Sequence, residues 1–92
     1  MKLWLDDLRP PPDDSWHWCT TVAAAKIICF DHLITEASLD NDLGEGQEEG
    51  RRLVLWLCEN PELWPEEVTV HSANPPAGEY MRGMIDRYKP AT

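Results

Sequence analysis

The sequence is short of positive charge. Only 8 Lys and Arg stand against 17 Asp and Glu in 92 residues, a formal net charge of −9. Such a surface repels duplex phosphates and lacks the clustered cations that release counterions from DNA, so duplex nucleic acid is excluded as a partner. A small phosphorylated ligand stays admissible where a metal ion or local arginines mask the carboxylates. Cysteine is equally sparse: Cys19, Cys29 and Cys58 are odd in number, form no CxxC and have no His/Cys ligand spacing. That excludes a disulfide framework and a zinc site, and predicts reduced thiols packed in the core of a cytoplasmic protein. There is no apolar run of membrane-spanning length, hence no membrane partner is expected, and no signal peptide, since the chain opens directly on a strand-like segment. Internal repeats and low-complexity tracts are absent too.

What is present suffices for one domain spanning 1–92. Hydrophobic residues make up 42% of the chain, and five tryptophans offer large rings for burial. Trp4, Trp56 and Trp64 are expected in the core, whereas Trp16 and Trp18 alternate with His17 and would share a strand face.

Short apolar or alternating runs predict strands at 2–5 (KLWL), 16–21 (WHWCTT), 36–40 (EASLD) and 66–72 (EEVTVHS). Helical periodicity predicts helices from a Thr20 or Thr21 cap to about Leu33, over 48–60, and over 78–89, the last with Met81, Met84, Ile85 and Tyr88 on one face. Asn60-Pro61 ends the middle helix. Strands alternating with helices imply a mostly parallel α/β sheet.

The first connection lacks a helix. Three prolines in RPPP remove donors and fix φ, so 9–12 should run extended. A parallel return over a short strand must cover ~17 Å, and the eight residues from Leu8 to Ser15 can span ~25 Å at polyproline spacing. The proline run can therefore replace a crossover helix; a hairpin with an antiparallel second strand is the alternative.

In an open α/β sheet, ligands bind outside the carboxyl ends of the strands. Those ends carry Asp6 and Asp7, then Asp40, Asn41 and Asp42, then His71, Ser72 and Asn74. Carboxylates gathered there suit Mg²⁺ or Mn²⁺, which take few carboxylates and use their waters to hold phosphate oxygens. Arg9 is a candidate phosphate fork. Ser72, Asn74 and Asn41 offer neutral contacts to a phosphorylated ligand, and His71 could exchange a proton. Each feature also has a plain structural explanation. Asp40–Asp42 before Gly44 would serve as a turn, Asn74 before two prolines as a helix cap, His71 as a satisfied core histidine, and Arg51-Arg52 as a solvated helix face. An acidic edge with no function at all is the limiting case.

LWLDDLRPPP, SLDNDLG, a WL helix, ELWP and VHSANP, in that order, resemble the cyclic-phosphate-processing receiver-like domains, over Lys2 to about Arg87. The resemblance implies a small flavodoxin-like, receiver-like sheet, which the elements read above make mostly parallel, with four strands and three helices, a proline-rich loop in place of the first crossover helix and no fifth strand. It implies a metal-binding pair at Asp6 and Asp7, with Asp40 in the place of the receiver's phospho-acceptor. It places Ser72 and Ala73 as the hydroxyl-plus-small pair after the fourth strand, and His71 and Asn74 in the family's own motif. Three features depart from the pattern. Asn41 stands where the family has His, Glu49-Gly50-Arg51-Arg52 replaces Thr-Gly-Tyr-Asp, and Lys89 follows a helix and not a fifth strand.

The function expected on these grounds is binding, with or without hydrolysis, of a cyclic phosphate on an RNA end or a small nucleotide. Asp6, Asp7 and Asp40 would hold the metal, with His71 and Asp40 catalytic. The alternative is a module without chemistry. It would be either a receiver phosphorylated on Asp40 or a trap for a nucleotide messenger of the kind phages use against bacterial defence. A homodimer stays open on sequence grounds.

Overall fold

The computed structural model describes residues 1–91. Four strands, β1 (Lys2–Leu5), β2 (Trp16–Cys19), β3 (Glu36–Leu39) and β4 (Glu67–Val70), form one sheet in the order β2-β1-β3-β4. All neighbouring strands are parallel. The antiparallel alternative for β2 is therefore excluded, and the proline segment does the work of a crossover helix. Three helices follow their strands: α1 (Val22–Asp31), α2 (Arg51–Glu59) and α3 (Pro75–Tyr88), with a 3-10 turn at Pro61–Leu63 after α2.

Local chemistry sets the boundaries. Thr21 caps α1, its hydroxyl accepting from the Ala24 amide, so β2 stops at Cys19 and not at Thr21 as predicted. Gly50 caps α2, which shortens the predicted 48–60 segment at its start. Asn74 caps α3, with Pro75 at its first position, so this helix begins three residues before the predicted Gly78. His71 and Ser72, expected inside the fourth strand, lie just past it. Two of the three cysteines are buried; Cys58 is half-buried.

The strand order explains the layering. The steps β2→β3 and β3→β4 cross the sheet in one direction, whereas β1→β2 runs the other way. Right-handed connections then put α1 and α2 on one face and the proline segment on the opposite face. Side chains alternate between those faces. Leu3, Leu5, Ala37 and Leu39 belong to the buried cluster that includes Val22, Ala25, Leu53, Leu57 and Met81 from the helices. Trp4, Trp16, Trp18 and Ser38 occupy the other face, where among the described residues no helix lies. Trp4 is 7% exposed yet outside that cluster. His71 stacks on its ring, Trp16 meets it edge-on, and its indole N–H donates to the Arg9 carbonyl at the start of the proline segment, 2.8 Å away. Trp56 and Trp64, expected in the core, are only partly buried against it.

Candidate functional site

The sheet reverses its winding between β1 and β3, which is where an open α/β sheet leaves a crevice at its carboxyl edge. Backbone bonds carry the ladder one residue further there. The Asp6 amide donates to Cys19 O, the Asp40 amide to Leu5 O and the His71 amide to Leu39 O, at 3.1, 2.9 and 3.0 Å. Asp6, Asp40 and His71 are thereby set in one row across three strands, in phase with Trp4 and Ser38 on the helix-free face.

Each acid then acquires its own surroundings. Asp6 is 2% exposed. Its Oδ1 accepts from the amides of Leu8 and Arg9 at 2.9 and 2.8 Å, and its Oδ2 faces His71 Nε2 at 3.0 Å. Burial opposes the charge on Asp6, but the Arg9 and Leu8 amides and the His71 ring together outweigh it and hold the carboxyl below its ordinary range. Asp40 moves the other way. Burial is the main cause, Asp6 and Asp42 add repulsion, and the Asn41 amide bond and His71 offset these only in part.

One carboxylate oxygen from each of Asp6, Asp7 and Asp40 can be chosen so that all lie within 4.8 Å of one another. Oxygens sharing one Mg²⁺ sit about 3–4 Å apart, so small side-chain rotations would bring these onto a common cation. An ionised carboxylate has about four acceptor sites. Asp6 already uses three of them, which leaves Asp7 and Asp40 the freer ligands. The carboxylates line a cleft of about 360 Å³ together with Leu8, Arg9, Asp42, Gly44 and Ala73. Arg9 forms no ion pair among the described residues, so its guanidinium is available to an anion. Gly44 has φ +105°, and a Cβ on it would come 3.5 Å from Asp7 Oδ2. Glycine thus keeps the backbone unstrained and the cleft wall low.

The remaining predicted residues do not all reach the cleft. Asn41, proposed as a ligand contact, is 0% exposed. Its Oδ1 accepts from the Arg51 amide and its Nδ2 donates to Glu49 Oε2 and Asp42 Oδ1. Its side chain is thus spent on latching the Asp40 loop to the start of α2. Gly50 completes the latch: its amide donates to Asn41 O, and a Cβ there would collide with the Asp40 carbonyl oxygen. Arg51 turns to Glu49 at 2.8 Å, so the Glu49–Arg52 departure adds no unpaired charge at Arg51. Ser72 and Asn74, also expected as ligand contacts, organise the α3 start. Ser72 Oγ accepts from the Asn74 amide at 3.0 Å, and Asn74 Oδ1 accepts from the Ala77 amide.

His71 has both ring nitrogens engaged. Nε2 meets Asp6 Oδ2 at 3.0 Å, Nδ1 meets Ser38 Oγ at 2.7 Å, and the ring stacks on Trp4 with centroids 4.0 Å apart and planes 5° from parallel. An ionised carboxylate only accepts, so Nε2 donates to Asp6, and in the neutral ring Nδ1 accepts the Ser38 hydroxyl proton. Ser38 and Trp4 were not foreseen as part of the site. The available signal was parity: 4, 38 and 40 fall on one side of their strands if Asp6 and Asp40 do. Lys89 lies elsewhere, in a groove with Glu66, Glu67 and Asp86 at the amino end of β4.

A parallel sheet with an acidic cluster at the β1/β3 switch and a small residue, Ala73, facing it has the architecture of a receiver domain. The chain belongs to the Cyclic-phosphate processing Receiver domain family, whose model matches residues 1–87. No curated protein and no solved structure matches it. It is thus a receiver-like domain related to cyclic-phosphate processing.

Proposed function

We propose that the cleft binds a cyclic phosphate, on a small nucleotide or an RNA end, with a divalent cation held by Asp6, Asp7 and Asp40. The observation that carries this is the meeting of those carboxylates within 4.8 Å beside an unpaired Arg9. Without a cation the cluster repels phosphate; with Mg²⁺ or Mn²⁺ bound, most of the carboxylate charge is offset and phosphate oxygens gain a ligand. Asp6 acts as the rigid member, fixed by two amides and His71. Asp7 and Asp40 adapt to the ion, and Arg9 takes a free phosphate oxygen as a fork. His71, expected as a general acid/base, serves here to orient Asp6, because neither of its nitrogens is free.

Capture without cleavage is favoured by that same engagement of His71 and by the burial of Asn41. The open polar side chains of the cleft are carboxylates and Arg9; burial raises the proton affinity of Asp40, but a cation held by it keeps it ionised, which leaves no group to give a proton to a leaving oxygen. The phospho-acceptor alternative loses support because Lys89 lies at the opposite end of β4 and cannot neutralise a phosphorylated Asp40. The test is calorimetry with 2′,3′-cyclic nucleotides and cyclic dinucleotides, with and without Mg²⁺ or Mn²⁺, followed by phosphorus NMR. Cation-dependent binding with the ring intact is the expected result. Ring opening would convert the reading to hydrolysis, and silence across the panel would end both.

A further inference from the structure

Beside the acidic cleft lies a second, chemically different hollow. It encloses about 430 Å³ and is walled by Pro10, Pro11, Pro12, Trp16 and Trp18. The two hollows are consecutive along the chain, since Leu8 and Arg9 line the first and Pro10 begins the second. Their common wall is fixed at both ends: Trp4 Nε1 donates to Arg9 O at 2.8 Å, and Trp18 Nε1 donates to Asp6 O at 2.7 Å. The indole of Trp18 is thus anchored directly to the backbone of a cleft residue while 44% of Trp18 remains exposed. Trp16 is not equivalent. Trp4 packs edge-on against it at 5.6 Å and Lys2 Nζ lies over its ring at 5.1 Å.

A large ring that is held by its N–H and left open to solvent contributes little to the core. It is, however, preorganised for a planar partner. Asp13 and Asp14 also line this hollow and disfavour a phosphate there, which leaves it to a neutral group. We propose that Trp18 is the stacking platform for a nucleobase whose phosphate occupies the Asp6/Asp7/Asp40 cleft, so that the preferred ligand is a nucleotide and not a base-free phosphate. This rests on the phosphate reading above and adds to it the recognition of the base. Stacking of this kind tolerates different bases and is sensitive to removal of the ring.

The test compares 2′,3′-cyclic AMP with 1-O-methylribose 2′,3′-cyclic phosphate, by calorimetry in Mg²⁺, on the intact chain and on Trp18→Ala and Trp18→Phe. The nucleotide should bind roughly tenfold or more tighter than the base-free probe. Trp18→Ala should erase that advantage, and any weakening of the base-free probe through the lost bond to Asp6 O should be matched by Trp18→Phe, which loses the same bond. Trp18→Phe, which keeps a ring but loses the bond to Asp6 O, should retain most of the advantage; a purely structural tryptophan would make the two variants behave alike. Equal binding of the two probes by the unmodified chain, or an advantage that survives Trp18→Ala, overturns the inference while leaving the phosphate reading in place. Failure of both probes to bind overturns the two together.

Discussion

The two faces of the sheet are built from the same four strands and differ in kind. One is aliphatic and sealed: Leu3, Leu5 and Leu39 are 0% exposed beneath the helices. The other carries Trp4, Trp16, Trp18 and Ser38, has a proline segment in place of a helix, and runs directly into Asp6, Asp40 and His71. Alternation along a strand makes this division unavoidable, because every residue committed to the core commits its neighbours to the opposite side. The sealed face supplies stability through area removed from water. The open face spends its burial on directional contacts, namely indole to carbonyl, serine to histidine and histidine to aspartate. It therefore holds geometry more than it adds free energy.

The contrast can be broken most forcefully from the sealed side. Leu3→Ala should cost about 2–5 kcal/mol through lost transfer and a residual cavity, a large share of the ~5–15 kcal/mol typical of a domain. Urea unfolding should show the loss, while the fraction that stays folded binds Mn²⁺ with unchanged affinity. A matching fall in Mn²⁺ affinity would mean the faces are not separable.

From the open side the expected loss is smaller and differently distributed. His71→Ala leaves the Ser38 hydroxyl and Asp6 Oδ2 short of a partner and uncovers Trp4, at a cost of about 1–3 kcal/mol. Mn²⁺ affinity, followed by electron paramagnetic resonance, should fall along with stability because Asp6 is no longer fixed. Unchanged Mn²⁺ binding would show that His71 is a packing residue only.

The smallest effect has the opposite sign. Asp40 carries a raised folded-state proton affinity, owing first to burial and then to the repulsion of Asp6 and Asp42. Its charge therefore opposes folding above the folded value, and that penalty vanishes as the pH falls below the unfolded value of about 3.9. Asp40→Asn should raise metal-free stability at neutral pH by less than about 1 kcal/mol, since partial exposure screens the charges. The gain should shrink on acidification. Asp6 behaves inversely. Its lowered value contributes stability above the unfolded pKa that disappears as the pH falls through the folded one. Thermal melts from pH 3 to pH 7 on the two Asp→Asn variants should therefore shift in opposite directions at neutral pH.

Much of the plan was legible along the chain. The strands at Lys2–Leu5 and Glu36–Leu39 announce themselves as apolar runs closed by aspartate, and the span available to Leu8–Ser15 already allowed a parallel return. Misplaced boundaries fell where caps competed with the pattern. Thr21 and Asn74 accept amide protons from inside the following helix, and so end one element and begin the next. At the site, the meeting of Asp6, Asp7 and Asp40 followed from strand ends alone. The fates of Asn41, Ser72 and Asn74 did not, because short polar side chains bond equally well to a ligand or to the nearest backbone.

By itself the order of residues determined which segments are extended, which are helical, and that three polar junctions arrive at the carboxyl edge. Period, capping and proline chemistry are local, acting over a few residues. Only tertiary structure decided that His71 would point inward to Asp6 and Ser38, that Asn41 would be sealed under α2, and that Trp18 would stay open beside the acids. Those outcomes depend on which groups distant in sequence reach hydrogen-bonding distance first, and a polar side chain satisfied inside the fold is no longer available outside it.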